Sequence, residues 1–282
     1  MAGLTFWTRF FAAAAVLMAV PAGAAPIGMV DKPCEPLPPA PASVEAFNTA
    51  FLQPGKADLP TMIALTKDPA YVAYDAARVG RNAQDPNGLC NYAEANADLL
   101  RRGGRPKMVF IGDSITENWA RADPSLFADG RIVGRGVGGQ TSAQMVVRFH
   151  ADVVALRPRT VQIMAGTNDI AGNGGPTSER AYQDNIMAMV EMARAHHIKV
   201  VLASIPPAER FLWSPQLRPA PQIQRLNAWL RAYARREGLV YADYYARLAT
   251  PQGGMRPGFA IDGVHPNRDA YAQMRPLIAD LK

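Results

Sequence analysis

The chain has 282 residues, 49% hydrophobic and 19% charged, with a net charge of +6. That balance is globular and excludes a disordered or low-complexity protein. Lys and Arg are scattered, with no aromatic-rich basic motif, so nucleic acid is not an expected partner; the excess charge reads as solvated surface with mild attraction to anionic envelope polymers or membranes.

At the N-terminus Arg9 precedes an apolar run over residues 10–20, and Ala22-Gly23-Ala24 supplies a small-residue cleavage pattern. The run is shorter than the ~20 residues that a spanning helix needs. Residues 1–24 are therefore predicted to be a signal peptide, cut near Ala24 or Ala25. The mature chain is expected in the periplasm or outside the cell, with no stable membrane insertion. No cysteine closely follows the run, which argues against a lipid anchor. Cys34 and Cys90 are an even count for an oxidising compartment, and one disulfide is expected between them.

Residues 25–105 read as a Pro-rich linker and a helical extension. The Pro/Ala-rich stretch 26–43 is extended in character. Two or three helices are predicted over 44–102, among them 44–52, capped by Ser43, and 89–102, ended by Gly103-Gly104. No chemistry is legible in this part.

From residue 106 apolar runs alternate with helical patterns. Strands are predicted over 107–111, 131–136, 160–165, 198–204 and 239–242. Helices are predicted from Ser114, over 141–156, 177–197 and 221–237, and from Asn267. Such alternation implies a parallel sheet covered by helices on both faces. Ligands of these sheets bind outside the carboxyl ends of the strands.

The residues just past the strand ends carry the chemistry. Gly112-Asp113-Ser114 comes after the first strand, Gly136-Val137-Gly138-Gly139-Gln140-Thr141 after the second, and Gly166-Thr167-Asn168-Asp169 after the third. A hydroxyl, a bare backbone turn and a side-chain amide thus meet at one edge. Acyl transfer needs these parts: a nucleophile, and donors for the oxyanion of a tetrahedral intermediate. Each has a plainer reading. Ser114 could be a helix cap, the glycines a tight turn, and the Asn-Asp pair an Asx loop.

The nucleophile needs a base. His196 and His197 close a helix, where a polar or cationic residue suits the dipole, and His150 lies inside one. His265 stands in the loop Asp262-Gly263-Val264-His265-Pro266. An Asp three residues earlier can hold Nδ1–H and turn Nε2 toward the serine. The elbow G-x-S-x-G does not fit Ser114, because Thr116 stands where its last Gly should be. A metal site built from Asp113, Asp169, Asp262 and His265 has no H-x-x-x-H or Cys-His support. No cofactor or metal is expected, and Asp113 and Asp169 are expected to hold their loops.

GDSIT, GVGGQT, GTND and DGVHP, in this order, resemble the four sequence blocks of the SGNH (GDSL) hydrolase superfamily over residues 106–282. The resemblance implies Ser114 as nucleophile, His265 as base and Asp262 as its orienting acid. It implies an oxyanion hole made of the Ser114 N–H, the Gly139 N–H (Gly138 is the adjacent candidate) and the Asn168 amide. It also implies a flavodoxin-like three-layer α/β/α sandwich with strand order 2-1-3-4-5.

The expected function is an exported serine esterase acting on short-chain, acetyl-type esters, carbohydrate esters among them. The loop 205–221 should overhang the site, with Phe211, Leu212 and Trp213 as candidate walls, while Trp119 reads as core. No long apolar lid is visible, which argues against a lipase of long chains. Alternatives are a thioesterase or lysophospholipase-like hydrolase, an O-acetyltransferase, and a carbohydrate-binding module that lost catalysis. The sequence leaves open the natural ester, the oligomeric state and the role of residues 26–105.

Overall fold

The computed structural model describes residues 33–34, 36–55 and 58–279. The predicted signal peptide lies outside them. Residues from Cys34 onward cluster as one unit. It opens with four helices: α1 (Ala42–Phe51), α2 (Leu59–Thr66), α3 (Pro69–Gln84) and α4 (Ala93–Arg101). Then come β1 (Met108–Gly112), α5 (Ser114–Ala122), α6 (Pro124–Phe127), β2 (Ile132–Gly136), α7 (Ser142–Phe149) with a π-helical turn at His150–Val154, and β3 (Thr160–Met164). The rest is α8 (Thr167–Ala171), α9 (Glu179–Ala195), β4 (Lys199–Ala203), α10 (Ala220–Glu237), β5 (Val240–Ala242), α11 (Tyr244–Leu248), α12 (Arg268–Met274) and α13 (Pro276–Ala279).

The five strands form a parallel sheet in the order β2-β1-β3-β4-β5, as expected. β1 is a short apolar run because it is buried on both faces, while the edge strands β2 and β5 are partly exposed. In β1, Val109 and Ile111 join the cluster under α7, α9 and α10. Met108 and Phe110 point the other way, into the cluster with Trp119, Tyr244 and Tyr271. This two-residue alternation makes the three-layer sandwich. Trp119 is fully buried, as the sequence suggested.

The corrections lie at element ends and in the extension, which forms four helices where two or three were expected. Ser43 does not cap α1: Pro41 holds that place, and the Ser43 hydroxyl donates to Asp68 Oδ1 instead. Asp68 accepts as the cap of α3, so this bond ties two helices of the extension together. The helix predicted over 141–156 is α7 running into the π turn, begun by a Thr141/Gln144 capping box. The expected Cys34–Cys90 disulfide is present.

The turns from β1 and β2 are tight. A Cβ on Gly136 would lie 2.1 Å from the Glu117 backbone N, so only glycine lets β2 end against α5.

Candidate active site

The site sits where β1, β2 and β3 end. Asp113, not Ser114, caps α5: its Oδ1 accepts the Ile115 N–H at 2.9 Å. Ser114 is the first helical residue, and its hydroxyl is left for another partner. That partner is His265 Nε2, 2.8 Å away. The capping explanation for Ser114 is thereby removed.

His265 Nδ1 lies 2.6 Å from Asp262 Oδ2. The other Asp262 oxygen accepts the backbone N–H groups of Val264 and His265, each at 2.9 Å. The loop so fixes both the carboxylate and the ring. With Asp262 as acceptor, the proton sits on Nδ1 and the Nε2 lone pair faces Ser114. Burial pushes the Asp262 carboxyl up, but the His265 and Val264 bonds outweigh it and hold the group below its ordinary value. Burial pulls the His265 imidazole down. Its bond to Asp262 and the charges of Asp262, Asp113 and Glu117 win, leaving it above the ordinary 6.5.

The three expected donors lie just past the ends of β1, β2 and β3. Gly139 takes φ +80°, a left-handed turn. Among the described residues neither its N–H nor that of Ser114 makes a hydrogen bond. The N–H of neighbouring Gly138 is engaged by Glu117 Oε2 at 2.9 Å, which separates the two glycine candidates. Asn168 Nδ2 donates to the Gln140 carbonyl at 3.0 Å and, less closely, to Asp113 Oδ2 at 3.3 Å. Its Oδ1 accepts from Asn173 at 2.6 Å, so partners at both ends fix which way the amide faces.

Asp113 and Asp169 hold loops. Asp169 accepts the Ser142 N–H and hydroxyl. Asp113 is buried, and desolvation pushes its carboxyl up to about 6 against the pull of the Ile115 N–H and the His265 charge.

The wall residues divide. Phe211 is buried, and Leu212 is 69% exposed. Trp213 stacks on Phe211 and stands 6.1 Å from the His265 ring.

Sequence reading missed the extension's part in the site. Phe51 of α1 places its ring 5.5 Å from His265, opposite in chain order to Trp213. The Leu52 carbonyl accepts the Arg268 N–H at the start of α12. The Tyr92 hydroxyl donates to the Gly136 carbonyl. Gln140 and Gln144 donate to the carbonyls of Asn87 and Pro86 at 2.8 and 2.6 Å. The extension therefore braces the Gly136–Gln140 turn and edges the histidine. The one signal available was the Phe47/Phe51 pair at helical spacing, whose rings stack at 5.9 Å.

Arg148 was also missed. It is fully buried and ties the strand ends together from behind. Its guanidinium donates to the Gly112 carbonyl (2.7 Å), the Arg135 carbonyl (2.8 Å), Asp152 Oδ2 (2.8 Å) and Gln140 Oε1 (2.5 Å).

The sequence model of the GDSL-like Lipase/Acylhydrolase family matches residues 110–273. The chain belongs to this family. It is a carboxylic ester hydrolase with the SGNH/GDSL fold. A GDSL-like lipase of Bacteroides thetaiotaomicron VPI-5482 is 40% identical, with a TM-score of 0.65; the match covers 69% of this acylhydrolase and 97% of that chain. Esterase TesA of Pseudomonas aeruginosa is 26% identical over 183 residues, 60% of this chain and 83% of that protein. Other curated relatives are spanned over less than half their length. They are an acetylxylan esterase of Geobacillus stearothermophilus (33% identical over 95 residues; 25% of this chain, 43% of that protein) and lipoprotein YqeF of Bacillus subtilis (37% over 79 residues; 27% and 32%).

Proposed function

We propose that this GDSL acylhydrolase is an exported serine esterase that removes short, acetyl-type acyl groups, carbohydrate esters being the favoured class. The observation that carries the reading is the continuous Ser114–His265–Asp262 chain beside two unengaged backbone N–H groups.

In this mechanism Ser114 Oγ attacks the ester carbonyl carbon while its proton moves to His265 Nε2. The carbonyl π electrons move onto oxygen. The N–H groups of Ser114 and Gly139 receive that charge, joined by Asn168 Nδ2, which exchanges its long bond to Asp113 for the oxyanion. Asp262 stabilises the imidazolium. Collapse expels the alcohol, which takes the proton from His265. Water then attacks the acyl-serine by the same route, giving the carboxylic acid and free Ser114.

The short-acyl preference is supported by the acetylxylan esterase relative and by the two rings, Phe51 and Trp213, closing on His265. A half-exposed indole at the rim also suits stacking on a sugar face. A second reading, hydrolysis of longer acyl chains, is favoured by the similarity to TesA and by exposed Leu212. Export is supported by the Cys34–Cys90 disulfide, a bond that persists in oxidising compartments, and by the lipoprotein relative. Among the described residues no helix is long and apolar enough to cross a membrane.

Turnover of p-nitrophenyl esters from acetyl to dodecanoyl tests the reading. Activity concentrated on acetyl and propionyl supports it. A preference for octanoyl or longer overturns the acyl class in favour of the second reading.

The mechanism also fixes a pH dependence. His265 must be neutral to take the serine proton, and its pKa is raised. The protonated, inactive form therefore persists above pH 6.5, and kcat/KM should rise with pH through a midpoint above that value. Asp262→Asn removes the charge that raises the pKa, so the limb should move down in pH while kcat falls by about 10⁴ from loss of the tautomer. An unmoved limb would remove His265 from the role of base.

A further inference from the structure

The active site occupies the carboxyl edge of the sheet. At the opposite, amino edge lies a cleft of about 770 Å³, a size ordinary for small-molecule sites. Arg105, Lys107, Arg131, Arg157, Arg159 and Lys199 line it, with His196 and His197; among the described residues Asp129 is its only acid. The six cations come from four separate stretches, brought together because the strands they precede or begin are parallel. Arg131 lies 3.9 Å from Asp129. The other five have no carboxylate partner among the described residues. The cleft wall also includes buried apolar residues, Met108, Ile132 and Ile198 among them. Such a low-dielectric wall strengthens attraction to a bound anion.

A second observation is independent of the charge count. Arg157 and His197 are the only non-glycine residues with left-handed φ among the described residues, at 50° and 57°. Both line this cleft. Each closes a helical segment just before a strand, the position that glycine ordinarily fills. Of the other helix-to-strand turns, those before β1 and β2 carry Gly103 and Gly130 at φ 68° and 66° next to cleft residues, and the one before β5 carries Gly238 at φ 66° outside the cleft. Side chains thus replace glycine, at a steric cost, at two of the four turns beside the cleft. Strain retained at a cavity points to a role for the side chains.

We propose that this cleft binds a multiply charged phosphate-bearing ligand, separately from the esterase site. Arg supplies planar, multidentate donors suited to phosphate oxygens, and three sides of the cleft carry one. The shared chemistry is a cluster of phosphate oxygens, from a soluble polyphosphate or from phospholipid headgroups.

The test titrates the mature chain with sodium tripolyphosphate by calorimetry. In parallel the chain is sedimented with phosphatidylcholine vesicles with and without phosphatidylglycerol. Arg157→Gly is compared with the double variant Arg159→Glu/Lys199→Glu. Saturable binding to either probe is expected, weakened at least tenfold by Arg157→Gly, abolished by the double variant and reduced by added salt. Binding to tripolyphosphate alone identifies a soluble ligand, and binding to the anionic vesicles identifies headgroups; both support the site. Arg157→Gly should melt no lower than wild type, since glycine relieves the backbone, and p-nitrophenyl acetate turnover should not change. The proposal is overturned if neither probe binds, if both variants bind as wild type does, or if a single-stranded oligonucleotide binds more tightly than tripolyphosphate. Because turnover is read separately, failure here leaves the esterase reading standing.

Discussion

Ser114→Ala should reduce kcat on a short p-nitrophenyl ester by about 10⁶, the loss typical when a triad nucleophile is removed. Without Oγ no acyl-enzyme can form, and His265 has no proton to take. Binding and the oxyanion donors survive, so a residual rate of roughly 10³–10⁴ over water should remain. The fold should not suffer, because the Ser114 side chain makes one hydrogen bond, to His265, and Asp113 caps the helix. The melting temperature is the control. Asn168→Ala gives the graded contrast: one oxyanion donor is lost while the nucleophile stays, which costs about 10²–10³ in kcat. Full activity in Ser114→Ala at an unchanged melting temperature would remove the serine mechanism. Full activity in Asn168→Ala would remove only the third donor.

Arg148→Ala should be the most damaging substitution for stability. Arg148 and Asp152 are buried together, and removing the guanidinium leaves the Asp152 carboxylate without this cationic partner. It also takes a donor from the Gly112 and Arg135 carbonyls and from Gln140 Oε1, although the Gly112 carbonyl keeps the Val137 N–H. Breaking a buried pair from one side costs about 3–5 kcal/mol. For a domain of this size that lowers the melting temperature by on the order of 10 °C. Urea unfolding should show the same loss as a lower midpoint. Because Gln140 is one of the released groups and its carbonyl positions Asn168, kcat should fall even below the melting transition. A melting temperature within about 2 °C of wild type would mean that water replaces the guanidinium.

Much of the fold and most of the candidate site were legible in the sequence. Residues 107–111 and 160–165 are apolar runs too short for helices and bounded by glycine or polar residues. In a parallel sheet covered on both faces such runs have one reading. The four motifs were legible for a related reason: each is contiguous and lies just past a strand or an identifiable loop, so placing the strands places the motifs. The spacing of Asp262 and His265 is likewise local, and the loop geometry realises it through bonds to residues 264 and 265. Helix ends were less legible. Ser43 has the chemistry of a cap, but Asp68, far along the chain, competes for its hydroxyl.

The sequence by itself determined the alternation of strands and helices, the order of the motifs and the pairing of Asp262 with His265, because each depends on residues a few positions apart. Only the tertiary structure decided the rest. It brought Phe51 to His265, gave Gly138 to Glu117 and left Gly139 free, and buried an arginine that on helical spacing alone would pass for surface. It also gathered cations that look scattered along the chain into one cleft. These features depend on contacts between segments distant in sequence, and no local pattern carries the position of a residue relative to a partner far along the chain.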